Sequence, residues 1–335
     1  MTLAQRINAF VELGKSLNKL DEDTLQHWID EAGNENRWFT PDTVKMALDG
    51  VTKMLSQNEI EQWISSYQFG ATSHKIGIVM AGNIPLVGFH DLLSVLISGN
   101  QAFIKLSSQD SKLLPKVTDI MISIEPYFKE SIHYVSQLKG MDAVIATGSD
   151  NSARYFRQYF GNRPNIIRKN RTSCAVLTGK ESNEELLQLG RDIFSYYGLG
   201  CRNVSKLFVP EGYDFKHLLE ILEAYAEIGN HSKWRNNYDY NKSIYLVNRE
   251  PHLDNGFLLL KESLEMVSPL SVLYYQQYSD LHTLVELLSI QEEKIQCVVG
   301  DSLENIEMIP FGKAQYPEVW DYADGVDTLQ FLSEL

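Results

Sequence analysis

Cysteine is scarce in this 335-residue chain, which has three: Cys174, Cys201 and Cys297. The count is odd and no two are spaced as a CxxC pair, so the sequence gives neither a disulfide framework nor a thiolate zinc site. A reducing, cytoplasmic setting is the expectation. Positive charge is also short. Against 44 Asp and Glu stand 30 Lys and Arg, a formal net charge of −14 and a pI near 5.0. That balance argues against nucleic acid as a partner, which needs clustered Lys and Arg, and leaves room for a local basic site on a phosphorylated cofactor. No apolar run approaches the ~20 residues of a membrane span. The opening stretch "MTLAQRINAFVELGKSLNKL" lacks the basic-then-apolar layout of a signal peptide. It reads as an amphipathic helix, with Leu3, Ile7, Phe10, Val11 and Leu17 near helical spacing. Internal repeats and low-complexity segments are missing too.

What is present is enough apolar material for a sizeable core, 44% of the residues. At ~100–200 residues per domain, the length suggests two domains. Residues 1–70 read as helices: Thr40 with Pro41 is an N-cap followed by proline at N1, and Ser56 to Glu59 is a capping box. From Lys75 the pattern alternates. Strands "KIGIVMAG", "QAFIKL", "IHYVSQL", "DAVIATGS", "PNIIRK" and "CAVLTG" are interleaved with helices such as "PLVGFHDLLSVLISG" and "DNSARYFRQYF". Strand "VSKLFVP", helix "DFKHLLEILEAYAEIG" and strands "SIYLVN", "LSVLYYQQY" and "IQCVVG" follow. Alternation of this kind predicts an α/β fold with mostly parallel sheets, whose ligands bind beyond the C-terminal strand ends. The turn-like "TGKESN" predicts a domain boundary near 179.

Several residues sit where such a fold does chemistry. Asn83 follows the first strand and precedes Pro85; it is either a hydrogen-bond donor into a site or an ordinary turn residue. Lys105 ends the second strand, with Ser107 and Ser108 behind it, a set able to hold a ribose or a phosphate. Gly148 and Ser149 open a helix, which makes either an anion site or a plain N-cap. A full GxGxxG fingerprint is absent. Cys201 stands in "SYYGLGCRNVSKLFV", where Gly198 and Gly200 permit a tight backbone and Arg202 adds positive charge favourable to a thiolate. Taken locally, a buried cysteine packed beside a core strand is the favoured reading.

The order of these signals resembles the aldehyde dehydrogenase superfamily, and more closely its LuxC-like acyl-CoA reductase branch, from about Lys75 to about Gly325. The resemblance implies an aldehyde dehydrogenase-like α/β fold. Its parts would be a helical N-terminal segment (1–70), a Rossmann-type NADP-binding domain (71–179), a catalytic domain (180–308) and a C-terminal segment returning to the cofactor domain (309–335). It implies Asn83 as an oxyanion-hole amide and, from "GNQAFIK", Lys105 at the adenosine ribose. "TGS" places Gly148 and Ser149 at the pyrophosphate, and "GLGC" makes Cys201 the nucleophile. "EMVSP" resembles Glu-x-Phe-Gly-Pro and carries the nicotinamide-ribose role to Glu265, with Val267 and Ser268 departing from the pattern. "IPFG", residues 309–312, resembles a late substrate-side loop. Where the family often has a ribose-binding glutamate stands Ser108, which favours NADPH over NADH. Aldehyde-oxidising members carry Glu-Leu-Gly-Gly ahead of the catalytic domain. The corresponding "RKNRTSCAVLTG" has no carboxylate, so a base for hydrolysis is missing.

The resemblance thus implies NADPH-dependent reduction of an acyl-CoA or acyl-protein thioester to an aldehyde through a Cys201 acyl-enzyme, with no metal. A free-acid-forming dehydrogenase is the alternative, with Glu262 or Glu265 as its base. A catalytically silent binding or scaffold subunit is a second alternative. A homo-oligomer or a multi-enzyme complex is compatible with the family.

Overall fold

The computed structural model describes residues 1–302 and 306–335. The three residues between fall in the span expected to be catalytic and lie outside the described part. The chain forms two compact units, Met1–Asn170 with Pro317–Leu335, and Arg171–Tyr316.

The first unit opens with four helices, α1 (Leu3–Leu17), α2 (Glu22–Glu35), α3 (Pro41–Met54) and α4 (Gln57–Ile64). Their starts are written in the sequence. Thr40 accepts from the Thr43 N–H with Pro41 at the first helical position, and Ser56 accepts from the Glu59 N–H. In α1 the apolar spacing does its work: Phe10 and Leu13 are fully buried, each contributing ~1.5–3 kcal/mol over an exposed side chain. Then come β1 (Lys75–Val79), α5 (Phe89–Ile97), β2 (Gln101–Lys105), α6 (Leu113–Ile124), β3 (Ile132–Tyr134), β4 (Ala143–Thr147), α7 (Asp150–Phe160) and β5 (Asn165–Arg168). The five strands are parallel in the order β3-β2-β1-β4-β5. The order reverses direction at β1, which makes the ends of β1 and β4 a topological switch point. The helix expected from Pro85 starts at Phe89; residues 83–88 are turn, and Leu86 takes a left-handed φ of 56°. A buried ion pair closes this unit, with Arg168 donating to both carboxylate oxygens of Asp91 at 2.7 Å and to the Thr328 hydroxyl at 2.9 Å.

The second unit holds β6 (Thr172–Val176), α8 (Asn183–Phe194), β7 (Val204–Pro210), α9 (Phe215–Leu222), α10 (Ser232–Asn248), β8 (Leu253–Asp254), β9 (Leu259–Glu262), β10 (Val272–Tyr278), α11 (Leu281–Ile290), β11 (Ile295–Val299) and β12 (Met308–Ile309). Its seven-stranded sheet runs β12-β11-β6-β7-β10-β9-β8, parallel except for the β8–β9 pair. The division therefore falls between Asn170 and Arg171 rather than near 179, because β6 pairs with β7 and β11. The segment that rejoins the first unit starts at Pro317 rather than 309.

One expected strand is wrong. "SIYLVN" is the last part of α10, which buries Trp234, Tyr238, Asn241 and Tyr245 at steps of four, three and four. That is helical periodicity, and a four-residue apolar run at a helix end, Ile244 to Val247, mimics a short strand when read alone.

Candidate active site

The first unit gathers its candidate residues at neighbouring strand ends. Register sets Val79 beside both Lys105 and Ala146, so the chain leaves β1, β2 and β4 at one level. The loop after β1 carries Asn83, half-buried, and is fastened from two sides. Asn36 donates to the Gly82 carbonyl at 3.3 Å, and the Asp110 carboxylate accepts from the Leu86 N–H at 2.8 Å. Gly82 is required here: a Cβ would stand 2.5 Å from the Ser107 hydroxyl oxygen. Burial pushes the Asp110 carboxyl up to about 7. Lys105 and Ser108 are exposed and Ser107 is half-buried, its hydroxyl accepting from the Gln109 N–H at 3.2 Å. After β4, Ser149 caps α7 by accepting from the Ser152 N–H at 3.3 Å. A lysine cation, hydroxyls and the positive end of an eleven-residue helix form a donor set suited to a phosphorylated ribose.

The second unit is built differently. Cys201 is the exposed one of the three cysteines; Cys174 is buried, and burial pushes its thiol well up. The chain reaches Cys201 from the end of α8 through Tyr196 (φ 49°), Tyr197 (φ 55°) and Gly198 (φ 72°), three left-handed residues in a row. Two of them are not glycine, and such conformations cost of order 1–3 kcal/mol each unless the surroundings impose them. The surroundings here are polar and buried. Residues 200–203 close a turn, with the Asn203 N–H donating to the Gly200 carbonyl at 3.1 Å. The Asn203 side chain, 2% exposed, accepts from the Gly200 N–H at 2.8 Å and donates toward the carbonyls of Asp192, Ile193 and Ser195 at 3.2, 3.3 and 2.7 Å. The Ser173 hydroxyl donates to the Cys201 carbonyl at 3.0 Å and meets the Cys297 sulfur at 3.0 Å.

Two further loops are tied to this turn. The buried Asp192 carboxylate accepts from the N–H groups of Gly312 (2.6 Å) and Ala314 (3.0 Å), and Arg202 donates to the Ala314 carbonyl at 3.3 Å. Burial pushes the Asp192 carboxyl up to about 6, opposed by those two N–H groups. On the other side, Lys206 is fully buried in β7. Its ammonium donates to the Ser263 carbonyl and, at 3.3 Å, to the Glu265 carbonyl. Burial pushes it down to about 8. Ser205 donates to the Met266 carbonyl at 2.8 Å. Glu265 itself is exposed. Within this unit the structure thus fastens the Cys201 turn, the Glu265 loop and the residue 309–312 loop to a few positions around β7. Sequence reasoning missed Asn203, Asp192, Lys206 and Ser173; the only available hint was a run of polar residues, "RNVSK", entering a core strand.

Two parallel-sheet α/β units, one with a 3-2-1-4-5 strand order and one presenting an exposed cysteine, define an aldehyde dehydrogenase fold. Solved structures agree. An NAD-dependent aldehyde dehydrogenase from Sinorhizobium meliloti superposes with a TM-score of 0.66 at 13% identity, covering 91% of this chain and 71% of that one. The glyceraldehyde-3-phosphate dehydrogenase GapN from Methanocaldococcus jannaschii, complexed with NADP, gives 0.66 at 10% identity, over 92% and 80%. The chain belongs to the acyl-CoA reductase (LuxC) family, whose model matches residues 36–230. The long-chain acyl-protein thioester reductase 2 of Photobacterium leiognathi is 22% identical over 217 residues, 58% of this chain. The chain spans a little under half the length of that relative, 45%.

Proposed function

We propose that the protein reduces a fatty acyl thioester, on CoA or on a protein, to an aldehyde with NADPH, through an acyl-enzyme on Cys201. Cys201 carries the reading: an exposed cysteine on a turn that is reached through a left-handed passage and held by the buried Asn203 side chain, in a chain of the acyl-CoA reductase family. The Cys201 thiolate attacks the thioester carbonyl and forms a new carbon–sulfur bond. The tetrahedral oxyanion accepts hydrogen bonds from the Asn83 amide and a backbone N–H at Cys201, donors typically worth ~3–4 kcal/mol each. Its collapse breaks the bond to the donor sulfur, which leaves as a thiolate and takes up a proton. NADPH, when bound, would supply a hydride to the acyl carbon; breaking the carbon–sulfur bond to Cys201 then releases the aldehyde and returns the Cys201 thiolate. Lys105, Ser107, Ser108, Gly148 and Ser149 hold the nucleotide, and Glu265 holds the nicotinamide ribose. The lack of a carboxylate in "RKNRTSCAVLTG", where Ser173 instead touches the Cys201 backbone, supports thiol exchange over hydrolysis to an acid.

The test pairs wild type with Cys201→Ala, given acyl-CoA substrates of several chain lengths and NADPH. The wild type should gain one acyl mass on the peptide containing Cys201 and release aldehyde; the variant should do neither. A variant that still takes an acyl adduct and oxidises NADPH would remove Cys201 from the mechanism. Free acid as the wild-type product would overturn the reductive reading.

A further inference from the structure

We propose that Asn203 is a positioning residue for acyl transfer at Cys201, an inference that rests on the thioester-reductase reading. Its carboxamide ties the nucleophile turn to the end of the preceding helix. The last carbonyls of an α-helix have no partner inside the helix. Asp192 and Ile193 lie in the last turn of α8 and Ser195 just beyond it; the Asn203 amide N–H groups point at all three carbonyls. The same side chain's oxygen takes the Gly200 N–H, one residue before Cys201, while its backbone N–H closes the turn onto the Gly200 carbonyl. One planar group therefore holds both ends of the left-handed passage at Tyr196, Tyr197 and Gly198.

Residue chemistry restricts what can do this. The site demands an acceptor toward Gly200 and donors toward α8 from one short side chain. Asn provides both; Asp would face three carbonyls with a carboxylate, and Ala would leave every partner unpaired. Buried and fully engaged, Asn203 has no route to the substrate itself, so it acts through the backbone that aims the Cys201 thiol. A thiol displaced by about 1 Å loses on the order of a hundredfold in a reaction that needs alignment.

Two rates on one thiol separate positioning from bulk structure. Acylation of Cys201 by an acyl-CoA requires the thiol, the carbonyl and the oxyanion donors to be aligned. Alkylation by iodoacetamide requires only an accessible thiolate. Asn203→Ala is expected to slow acylation about a hundredfold while alkylation changes by less than about threefold. Asn203→Asp should behave alike, because it keeps the acceptor and loses the donors. Gly198→Ala perturbs the same passage more gently. An added Cβ meets nothing closer than 3.8 Å, so the strain is confined to the positive φ. It should slow acylation by about tenfold, again selectively, and serves where the Asn203 variants do not fold.

Equal acylation rates in wild type and variant, or acylation and alkylation falling together, overturn the positioning role. A wild-type chain that no acyl thioester acylates sinks the functional reading and this inference with it. A wild type that is acylated beside a variant acylated just as fast overturns the inference alone.

Discussion

The two candidate regions differ in how they are held. In the first unit, Lys105, Ser108 and Ser149 stand exposed at strand ends that the parallel sheet itself sets in register. Regular structure positions them, and little else touches them. In the second unit the Cys201 turn is irregular, and buried Asn203 holds it from behind; buried and half-buried polar side chains fasten the loops near it, Asp192 and Arg202 toward residues 312–314, Lys206 and Ser205 toward residues 263–266. The contrast follows from the work proposed for each. A nucleotide phosphate is recognised by charge and N–H groups at several points, which tolerates small shifts. A nucleophile must meet one carbonyl at one angle. Irregular backbone that must not move needs buried hydrogen bonds, since each unsatisfied buried group costs ~1–3 kcal/mol. Mutations should therefore couple stability to chemistry around Cys201 in the second unit and separate them at Lys105, Ser108 and Ser149 in the first.

The strongest way to break that contrast is at Lys206. Its side chain is fully buried and its ammonium serves two carbonyls of the Glu265 loop. Lys206→Ala removes those donors and leaves a cavity in β7, with an expected loss of about 3 kcal/mol in stability. Denaturant unfolding of the two proteins at matched pH gives the number. Cofactor-dependent turnover should fall as well, since the loop carrying Glu265 is released. A variant as stable as wild type would mean that Ser205 alone secures the loop.

Asp192 gives a smaller effect with a defined pH signature. Its folded value, about 6, lies above the ordinary carboxylate value, so the native protein binds a proton that the unfolded chain does not over the interval between the two. This group's contribution to stability is therefore fully present in acid and is lost as pH rises through about 6. Asp192→Asn does not titrate there. From about pH 7 down to about pH 5, wild type should gain about 1 kcal/mol relative to Asp192→Asn. The difference in melting temperature, followed across that interval, reads it out. A difference that stays flat would place the Asp192 value outside the window. The same protonation weakens the acceptor for Gly312 and Ala314, so acyl-transfer activity should decline on the acid side even as stability rises.

Legibility in the sequence follows the same divide. The strands and helices of the first unit were readable because alternation and N-caps are local signals: Thr40, Ser56 and Ser149 cap helices where their residue types say they should. The candidates Asn83, Lys105, Gly148 and Cys201 stand out by order along the chain, since each ends, follows or precedes a strand. Asn203, Asp192 and Lys206 could not. A buried polar side chain and a solvated one are the same letter, and what distinguishes them here is a partner up to about 120 residues away, as with Asp192 and Gly312. Nor does anything local announce that Tyr196 and Tyr197 adopt left-handed angles, because aromatic residues favour extended backbone. The α10 error has the converse cause: a short apolar run fits a strand, and the buried face that proves it helical is spread over twelve positions from Trp234 to Tyr245.

The gentlest test lies at the strand end of the first unit. Lys105 is exposed at the end of β2, with Ser107 and Ser108 two and three residues further along the chain. Lys105→Gln should leave unfolding free energy within ~0.5 kcal/mol of wild type, as for other surface changes. Its effect should appear in cofactor binding alone. Removing one exposed charge from a phosphate contact is worth ~0.7 kcal/mol, or about threefold in the KM for NADPH, with kcat unchanged. NADH lacks the 2′-phosphate, so its KM should move less. The NADPH effect should also shrink as salt is raised, because an exposed charge pair is screened within about 10 Å at 0.1 M salt. Steady-state kinetics with both cofactors at two salt concentrations decides the matter. Equal shifts for NADPH and NADH would assign Lys105 to the part of the nucleotide the two share. A loss of stability would show that this strand end, like the Cys201 turn, is held by its side chains and not by the sheet.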